Sequence, residues 1–274
     1  MRLVTFEHEG RIAVGRRIGE VIWSTDFTSM VEAIEAGPDV LCARSSTPIP
    51  RGQCRVLAPI RRPGKLLFSG LNYRSHTEEN PAAVLPTYPQ FFAKLPSSVI
   101  GPEDPIVLPA PGTQVDYEVE LAVVIGKQAR GLQPSTALDC VFGYTVVNDV
   151  SARDVQFRDN QITTGKGFDT FCPMGPEIVL AGEIPDPQAL QVLSSVNGEP
   201  RQSSPTSDML FDVRTLLAFI SAHITLDPGD IVTTGTPAGV GAFRAPPVFL
   251  RPGDTVVVEV DRIGRLSNPV AAGW

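Results

Sequence analysis

The stretch Val115-Asp116-Tyr117-Glu118-Val119-Glu120-Leu121-Ala122-Val123-Val124-Ile125 constrains this chain more than any other. Its first half alternates polar and apolar residues, and its second half is wholly apolar. Residues two apart on a strand share a face. Glu118 and Glu120 therefore project together, with Asp116 on the same side and Tyr117, Val119 and Leu121 opposite. A continuous apolar run is what a strand covered on both faces requires. The chain is thus expected to fold around a buried sheet with carboxylates at one end of a strand. Neighbouring carboxylates in such a place repel each other and lose hydration, and a bound cation offsets both costs. All-oxygen donors favour Mg²⁺, Mn²⁺ or Ca²⁺ over zinc. Spacing alone equally allows two glutamates on a solvated face.

The remaining pattern is β-rich. Residues 1–60 read as a separate small unit, with short strands at Arg2–Phe6, Arg11–Arg16 and Glu20–Ile22. A helix over Phe27–Ala36 follows, stopped by Gly37-Pro38, and then a strand at Val56–Ile60. After a turn at Arg61–Gly64, strands are expected at Lys65–Ser69, Gln90–Ala93, Val115–Ile125, Phe142–Asn148, Leu190–Asn197, Asp230–Thr234 and Asp254–Glu259. Ala137–Cys140 reads as the end of a helix, Ser151–Asp159 as a helix capped by Ser151, and Val213–Ile224 as an apolar helix. Asn72–Asn80 reads as a loop or short helix and Pro81–Pro89 as a loop. Asn197-Gly198 marks a hairpin turn. The 26 prolines and 24 glycines suit many short strands joined by tight turns.

Composition narrows the function. Hydrophobic residues make up 42% of the 274, enough for a substantial core. A net charge of −7 with no basic tract argues against nucleic acid as a partner. Cys42, Cys54, Cys140 and Cys172 form no metal-binding or CxxC spacing and read as reduced thiols. Met1–Glu20 carries charges throughout, unlike a signal peptide, and no apolar run approaches the roughly 20 residues of a spanning helix. The expectation is a cytoplasmic protein with no membrane contact.

Further residues carry candidate chemistry. Asp149 ends the apolar stretch Phe142–Asn148, as a third ligand or as a turn residue. Arg153 and Gln156 are three apart, hence on one helical face, suited to an anionic oxo acid or to solvent. Lys166 stands between Gly165 and Gly167, close to a ligand or in a surface turn. His76 and Glu79 are also three apart, so in a helix the carboxylate would orient the imidazole as a general base. His8 and His223 have no carboxylate at useful spacing and read as structural.

Several motifs, in order, make the chain resemble the fumarylacetoacetate hydrolase (FAH) superfamily. They are Gly70-Leu-Asn-Tyr-Arg-Ser-His76, Asp116–Lys127, Gly143–Asp154, Lys166-Gly-Phe-Asp-Thr-Phe-Cys-Pro173 and Thr234-Gly-Thr-Pro-Ala-Gly-Val-Gly241. The resemblance runs from about Arg61 to Val270. The Phe243–Asp254 stretch is most similar to the FAH domain-containing protein 2 branch and bacterial 2-hydroxyhepta-2,4-diene-1,7-dioate isomerase-like members. The resemblance implies an α+β, β-rich fold, an FAH-type mixed β-sandwich roll at 61–274 behind a small N-terminal α/β domain, usually a homodimer. It implies Mg²⁺ or Mn²⁺, with Ca²⁺ as a substitute, on Glu118, Glu120 and Asp149. It further implies oxo-acid contacts from Arg153, Gln156, Lys166 and Thr236, and a water-activating dyad of His76 and Glu79, with Lys166 stabilising developing charge. Arg74-Ser75 departs from the pattern, where an acidic residue commonly precedes the histidine.

The expected function is divalent-metal chemistry on a small anionic 2-oxo acid through a metal-bound enolate. C–C hydrolysis of an acylpyruvate, such as a ring-cleavage product of aromatic catabolism, stands first. Isomerisation, keto–enol tautomerisation or decarboxylation, for oxaloacetate or 2-hydroxyhepta-2,4-diene-1,7-dioate, is the alternative. Non-catalytic oxo-acid binding is a more remote one.

Overall fold

The computed structural model describes residues 1–43, 47–80, 83–158 and 161–273, with the backbone alone at 42 and 43. Val119–Ile125 is buried at every position and lies inside a sheet that takes in 12 strands among the described residues. Ten of them run in the order Thr47–Pro50, Val21–Ser24, Arg11–Ile18, Arg2–His8, Cys172–Leu180, Val141–Asn148, Val119–Ile125, Ile231–Thr233, Leu66–Ser69, Phe91–Ala93, while Arg55–Leu57 pairs with Arg2–His8 and Val99–Ile100 with Cys172–Leu180. A second sheet of 5 strands contains Glu199–Pro205, Gln191–Val196, Thr255–Val260, Gly264–Ala271 and Ile106–Val107. The architecture is α+β and β-rich, two sheets packed face to face.

Both faces of Val119–Ile125 are covered, which explains its unbroken apolar composition. Val119, Leu121, Val123 and Ile125 pack into a core shared with Val192, Val256, Val258 and Leu266 of the second sheet. Ala122 and Val124 face the other way, into a core with Leu3, Val14, Phe27, Met30 and Ile34. The N-terminal segment thus supplies the second cover. It is also joined edge to edge, because Arg2–His8 pairs with Cys172–Leu180 at Arg2↔Val179 and Leu3↔Ile178. Beside that seam the buried Glu177 takes Arg17 Nε at 2.6 Å and an ion pair from Arg2.

Several elements differ from expectation. Val115–Ile125 is two strands. Val115–Asp116 pairs with Ser151–Ala152, and the chain rejoins Val141–Asn148 only from Val119. At the break, Asp149 N–H donates to Glu118 O at 2.8 Å and Glu118 N–H to Asn148 Oδ1 at 3.0 Å. Ser151 is therefore a strand residue, and its hydroxyl donates to Asp149 O at 3.0 Å instead of capping a helix. The helix is Arg153–Gln156, and Asp159 lies outside the described residues. Pro134–Cys140 forms a 3-10 helix. Gly37, at φ 85°, closes the helix Met30–Ala36, but Pro38 opens another at Pro38–Ala43, as a first-turn proline can.

Other expectations hold. Val213–His223 is a helix capped by Asp212, whose Oδ1 accepts from Thr215 N–H at 2.8 Å. Asn197-Gly198 forms the hairpin with positive φ at both residues. Cys140 and Cys172 are buried free thiols and Cys54 is a partly exposed one, while the Cys42 side chain lies outside those described. Pro81 and Ala82 of the proline-rich loop also lie outside. Among the described residues, no helix is long and apolar enough to cross a membrane.

Candidate active site

Glu118 and Glu120 stand at the start of Val119–Ile125. The neighbouring strand runs antiparallel with Val119 opposite Asn148, so Asp149 arrives beside Glu118. One carboxylate oxygen from each of Glu118, Glu120 and Asp149 lies within 4.8 Å of the others, and all three residues are buried. Asp116 does not join them. Its carboxylate accepts from Gly241 N–H at 2.7 Å, Ala242 N–H at 2.9 Å and Arg153 Nε at 3.0 Å.

Three buried cations, Arg153, Lys166 and Lys94, touch the carboxylates, the first two from the cavity side. Arg153 ion-pairs with Glu118 Oε1 and donates from Nη1 to Gln156 Oε1 at 2.9 Å, so the expected shared face of Arg153 and Gln156 is present. Lys166 Nζ lies 2.7 Å from Glu118 Oε2 and ion-pairs with Asp149 Oδ2. It also stands 4.9 Å from the centre of the Phe92 ring. Lys166 ends a short helix, Ile162–Lys166, and is buried, so the surface-turn reading of Gly165-Lys166-Gly167 does not apply. Gly165 is there because a Cβ would come within 2.7 Å of the Gln156 backbone. Only glycine lets the two short helices approach so closely.

These charges set the protonation of the group. Burial opposes ionisation of Glu118, but Arg153, Lys166 and His76 outweigh it and hold the carboxyl below its usual range. Burial likewise opposes the charge on Lys166, and Asp149 and Glu118 override it, raising its pKa. Glu120 goes the opposite way. Burial, then Asp149 and Glu118, push its pKa well above the ordinary carboxylate value, although Gly235 N–H donates to its Oε2 at 3.0 Å. A carboxyl forced towards neutrality by two like charges is the place where a cation gives most. The donor set is all oxygen, so these residues fit a hard divalent cation.

His76 and Glu79 lie on the helix Arg74–Glu79, as their spacing requires. His76 Nδ1 and Glu79 Oε1 are 2.6 Å apart, and Glu79 Oε2 accepts from Gly239 N–H at 2.8 Å. The Ser75 hydroxyl donates to Asp208 Oδ2 at 2.6 Å, so the residue that departs from the family pattern anchors this helix. Thr236 donates to Val119 O at 2.9 Å and accepts from Gln202 at 2.7 Å. His8 Nδ1 lies 3.0 Å from Gln53 O, and His223 ends its helix beside Phe219; both stand apart from the site.

One cavity of about 230 Å³ is lined by His76, Glu118, Glu120, Arg153, Gln156, Lys166 and Thr236. Its apolar wall includes Phe92, Phe157, Ile162 and Phe243, with the Phe243 ring centre 5.9 Å from that of His76. Sequence reasoning passed over this wall and over Lys94. Lys94 is fully buried, and its Nζ lies 2.6 Å from Asp149 Oδ1. The available signal was a lysine closing the apolar stretch Phe91-Phe92-Ala93.

A β-sandwich bearing a buried all-oxygen cluster, with an acid–base pair on the same small cavity, defines a class of enzyme equipped for hard-cation chemistry on small anions. Residues 65–271 match the family described as Fumarylacetoacetate (FAA) hydrolase C-terminal, and the chain belongs to that family. The oxaloacetate tautomerase Fahd2a, mitochondrial, of Rattus norvegicus is 46% identical over 249 residues, covering 88% of this chain and 79% of that protein. The solved fumarylacetoacetate hydrolase of Exiguobacterium antarcticum is 40% identical, with a TM-score of 0.90 over 99% of each chain. Maleylpyruvate hydrolase from Sphingobium sp. SYK-6, solved with manganese(II) and pyruvate, is 33% identical with a TM-score of 0.83 over 100% of each. The chain is an FAH-superfamily enzyme.

Proposed function

We propose that the chain interconverts the keto and enol forms of a small 2-oxo acid of the oxaloacetate kind. The observation that carries this reading is that His76, paired with Glu79, lines the same cavity as Glu118 and Glu120, which cluster with Asp149. The three carboxylates would hold Mg²⁺ or Mn²⁺, with Ca²⁺ as a substitute, which supplies Lewis-acid polarisation of the 2-oxo group. Arg153, Gln156 and Thr236 bind and orient the carboxylate end. Lys166 stabilises negative charge on the 2-oxygen. His76, held through Nδ1 by Glu79, moves a proton to and from the carbon beside the 2-oxo group with its Nε2. The relative named an oxaloacetate tautomerase supports this choice.

The hydrolase reading keeps a specific support in the maleylpyruvate hydrolase holding pyruvate. There His76 takes a proton from water, whose oxygen attacks the distal carbonyl. The C–C bond breaks, its electron pair stays on the pyruvate carbon, and the imidazolium protonates that carbon. Both reactions use one dyad and differ in whether water reaches the substrate. A homodimer, a cytoplasmic location and a role in aromatic breakdown belong to this same reading.

The test is a panel of enol-oxaloacetate, an acylpyruvate and oxaloacetate with Mg²⁺ or Mn²⁺. Loss of enol absorbance without release of a fragment is expected. Pyruvate and a carboxylic acid from the acylpyruvate at a faster rate would select hydrolysis. Full turnover in chelated buffer would refute the metal assignment.

A further inference from the structure

Lys94 is one of the most completely enclosed cations of the molecule, with its side chain fully buried. All three protons of its ammonium are placed: on Asp149 Oδ1 at 2.6 Å, Val150 O at 2.9 Å and Phe171 O at 2.6 Å. Its Nζ also lies 5.4 Å from the centre of the Phe68 ring. An ammonium held at three points cannot swing away from the carboxylate. Asp149 is thereby divided. Oδ1 belongs to Lys94, and Oδ2 to Lys166, which also reaches Glu118 Oε2.

We propose that Lys94 is a positioning residue that restricts Asp149 to one donor oxygen and so tunes the site towards small octahedral cations and against Ca²⁺. The inference rests on the reading of Glu118, Glu120 and Asp149 as metal ligands. Each oxygen of Asp149 thus carries a lysine, but the three protons of Lys94 are all committed away from the cavity, whereas Lys166 lines it, so Oδ2 is the oxygen a dication can take in exchange for Lys166. Mg²⁺ demands near-ideal octahedral geometry, with single, well-aimed oxygens. Ca²⁺ takes 6–8 ligands, and carboxylates often chelate it with both oxygens. Holding Oδ1 therefore costs Ca²⁺ a ligand and costs Mg²⁺ nothing. Lys94 also fixes the direction of Oδ2, as partners behind a ligand commonly do.

The experiment is calorimetric titration of the purified full chain with MgCl₂, MnCl₂ and CaCl₂ separately, for wild type, Lys94→Met and Lys94→Arg. In Lys94→Met, Mg²⁺ and Mn²⁺ affinity should fall by about 10- to 100-fold, while Ca²⁺ loses much less, so the preference shifts towards Ca²⁺. Lys94→Arg keeps the charge on Oδ1 and should keep the wild-type order of preference even where absolute affinities drop. It also serves as the reporter should Lys94→Met fail to fold, since a Ca²⁺-shifted order in Lys94→Arg overturns the proposal. An equal loss for all three cations in Lys94→Met assigns Lys94 a purely structural role and overturns it too. Failure of wild type to bind any of the cations overturns the ligand assignment itself, and this inference with it.

Discussion

Glu79→Gln tests the dyad with little change of shape. Glu79 serves two donors, His76 Nδ1–H at 2.6 Å on Oε1 and Gly239 N–H at 2.8 Å on Oε2. A glutamine offers one acceptor oxygen, so it can keep only one of them and must turn its NH₂ towards the other. The bond from His76 is charge-assisted, and its strength grows as the imidazole gains a proton in the transition state. Such bonds contribute about 1.5–3 kcal/mol. At about 1.36 kcal/mol per factor of ten, kcat/KM should fall by about 10- to 150-fold. Cation affinity should stay within about twofold, because Glu79 is outside the three carboxylates, and metal–ligand losses are of order tenfold or more. The assay is enol-oxaloacetate decay and acylpyruvate cleavage at saturating Mg²⁺, with metal titration on the same preparation. A variant at the wild-type rate would refute the argument that Glu79 acts through His76. An equal fall in cation affinity would show the loss to be structural.

Gly165→Ala places a Cβ within 2.7 Å of the Gln156 backbone and should push the helix bearing Lys166 away. A loss of about 1–3 kcal/mol by chemical denaturation and a larger fractional loss of kcat are expected; wild-type values for both would contradict the close approach. Lys166→Met removes the cation that lies 2.7 Å from Glu118 and faces Asp149. It should lower turnover by about 100-fold or more while leaving cation binding measurable by calorimetry. The cation-free protein should lose stability as pH rises above the ordinary Glu120 value of 4.5. A folded-state pKa raised by burial and like charge means that the native state holds a proton that the unfolded chain has released. A cation displaces that proton, so the gain in Tm on adding MgCl₂ should grow from about pH 5.5 to about pH 8, and a gain that shrinks over this range would be the contrary result.

Some parts of the site were legible because they depend on spacing within one element. The helix Arg74–Glu79 sets His76 beside Glu79, and Arg153–Gln156 sets Arg153 beside Gln156, both by the three-residue interval. Spacing was less reliable where an element broke. Asp116 was expected beside Glu118 and Glu120, yet the chain leaves the strand at Tyr117-Glu118, and Asp116 turns to Gly241, Ala242 and Arg153. Ser151 looked like a cap because it precedes a helical run, but pairing with Asp116 claims it for a strand.

By itself the sequence determined that Val119–Ile125 would be buried on both faces, since no other environment suits seven consecutive positions of which only Glu120 is polar. It did not say what would cover them. The answer, the N-terminal segment on one side and the second sheet on the other, comes from contacts between residues far apart in the chain. The same holds for the site. His76, Lys94, Glu118, Asp149, Lys166 and Thr236 share no local period, and strand registers such as Val119↔Asn148 and Ala122↔Thr233 bring several of them together. Local spacing fixes which side chains share a face. Only the tertiary structure decides which faces meet, because that depends on how the whole chain buries its apolar surface.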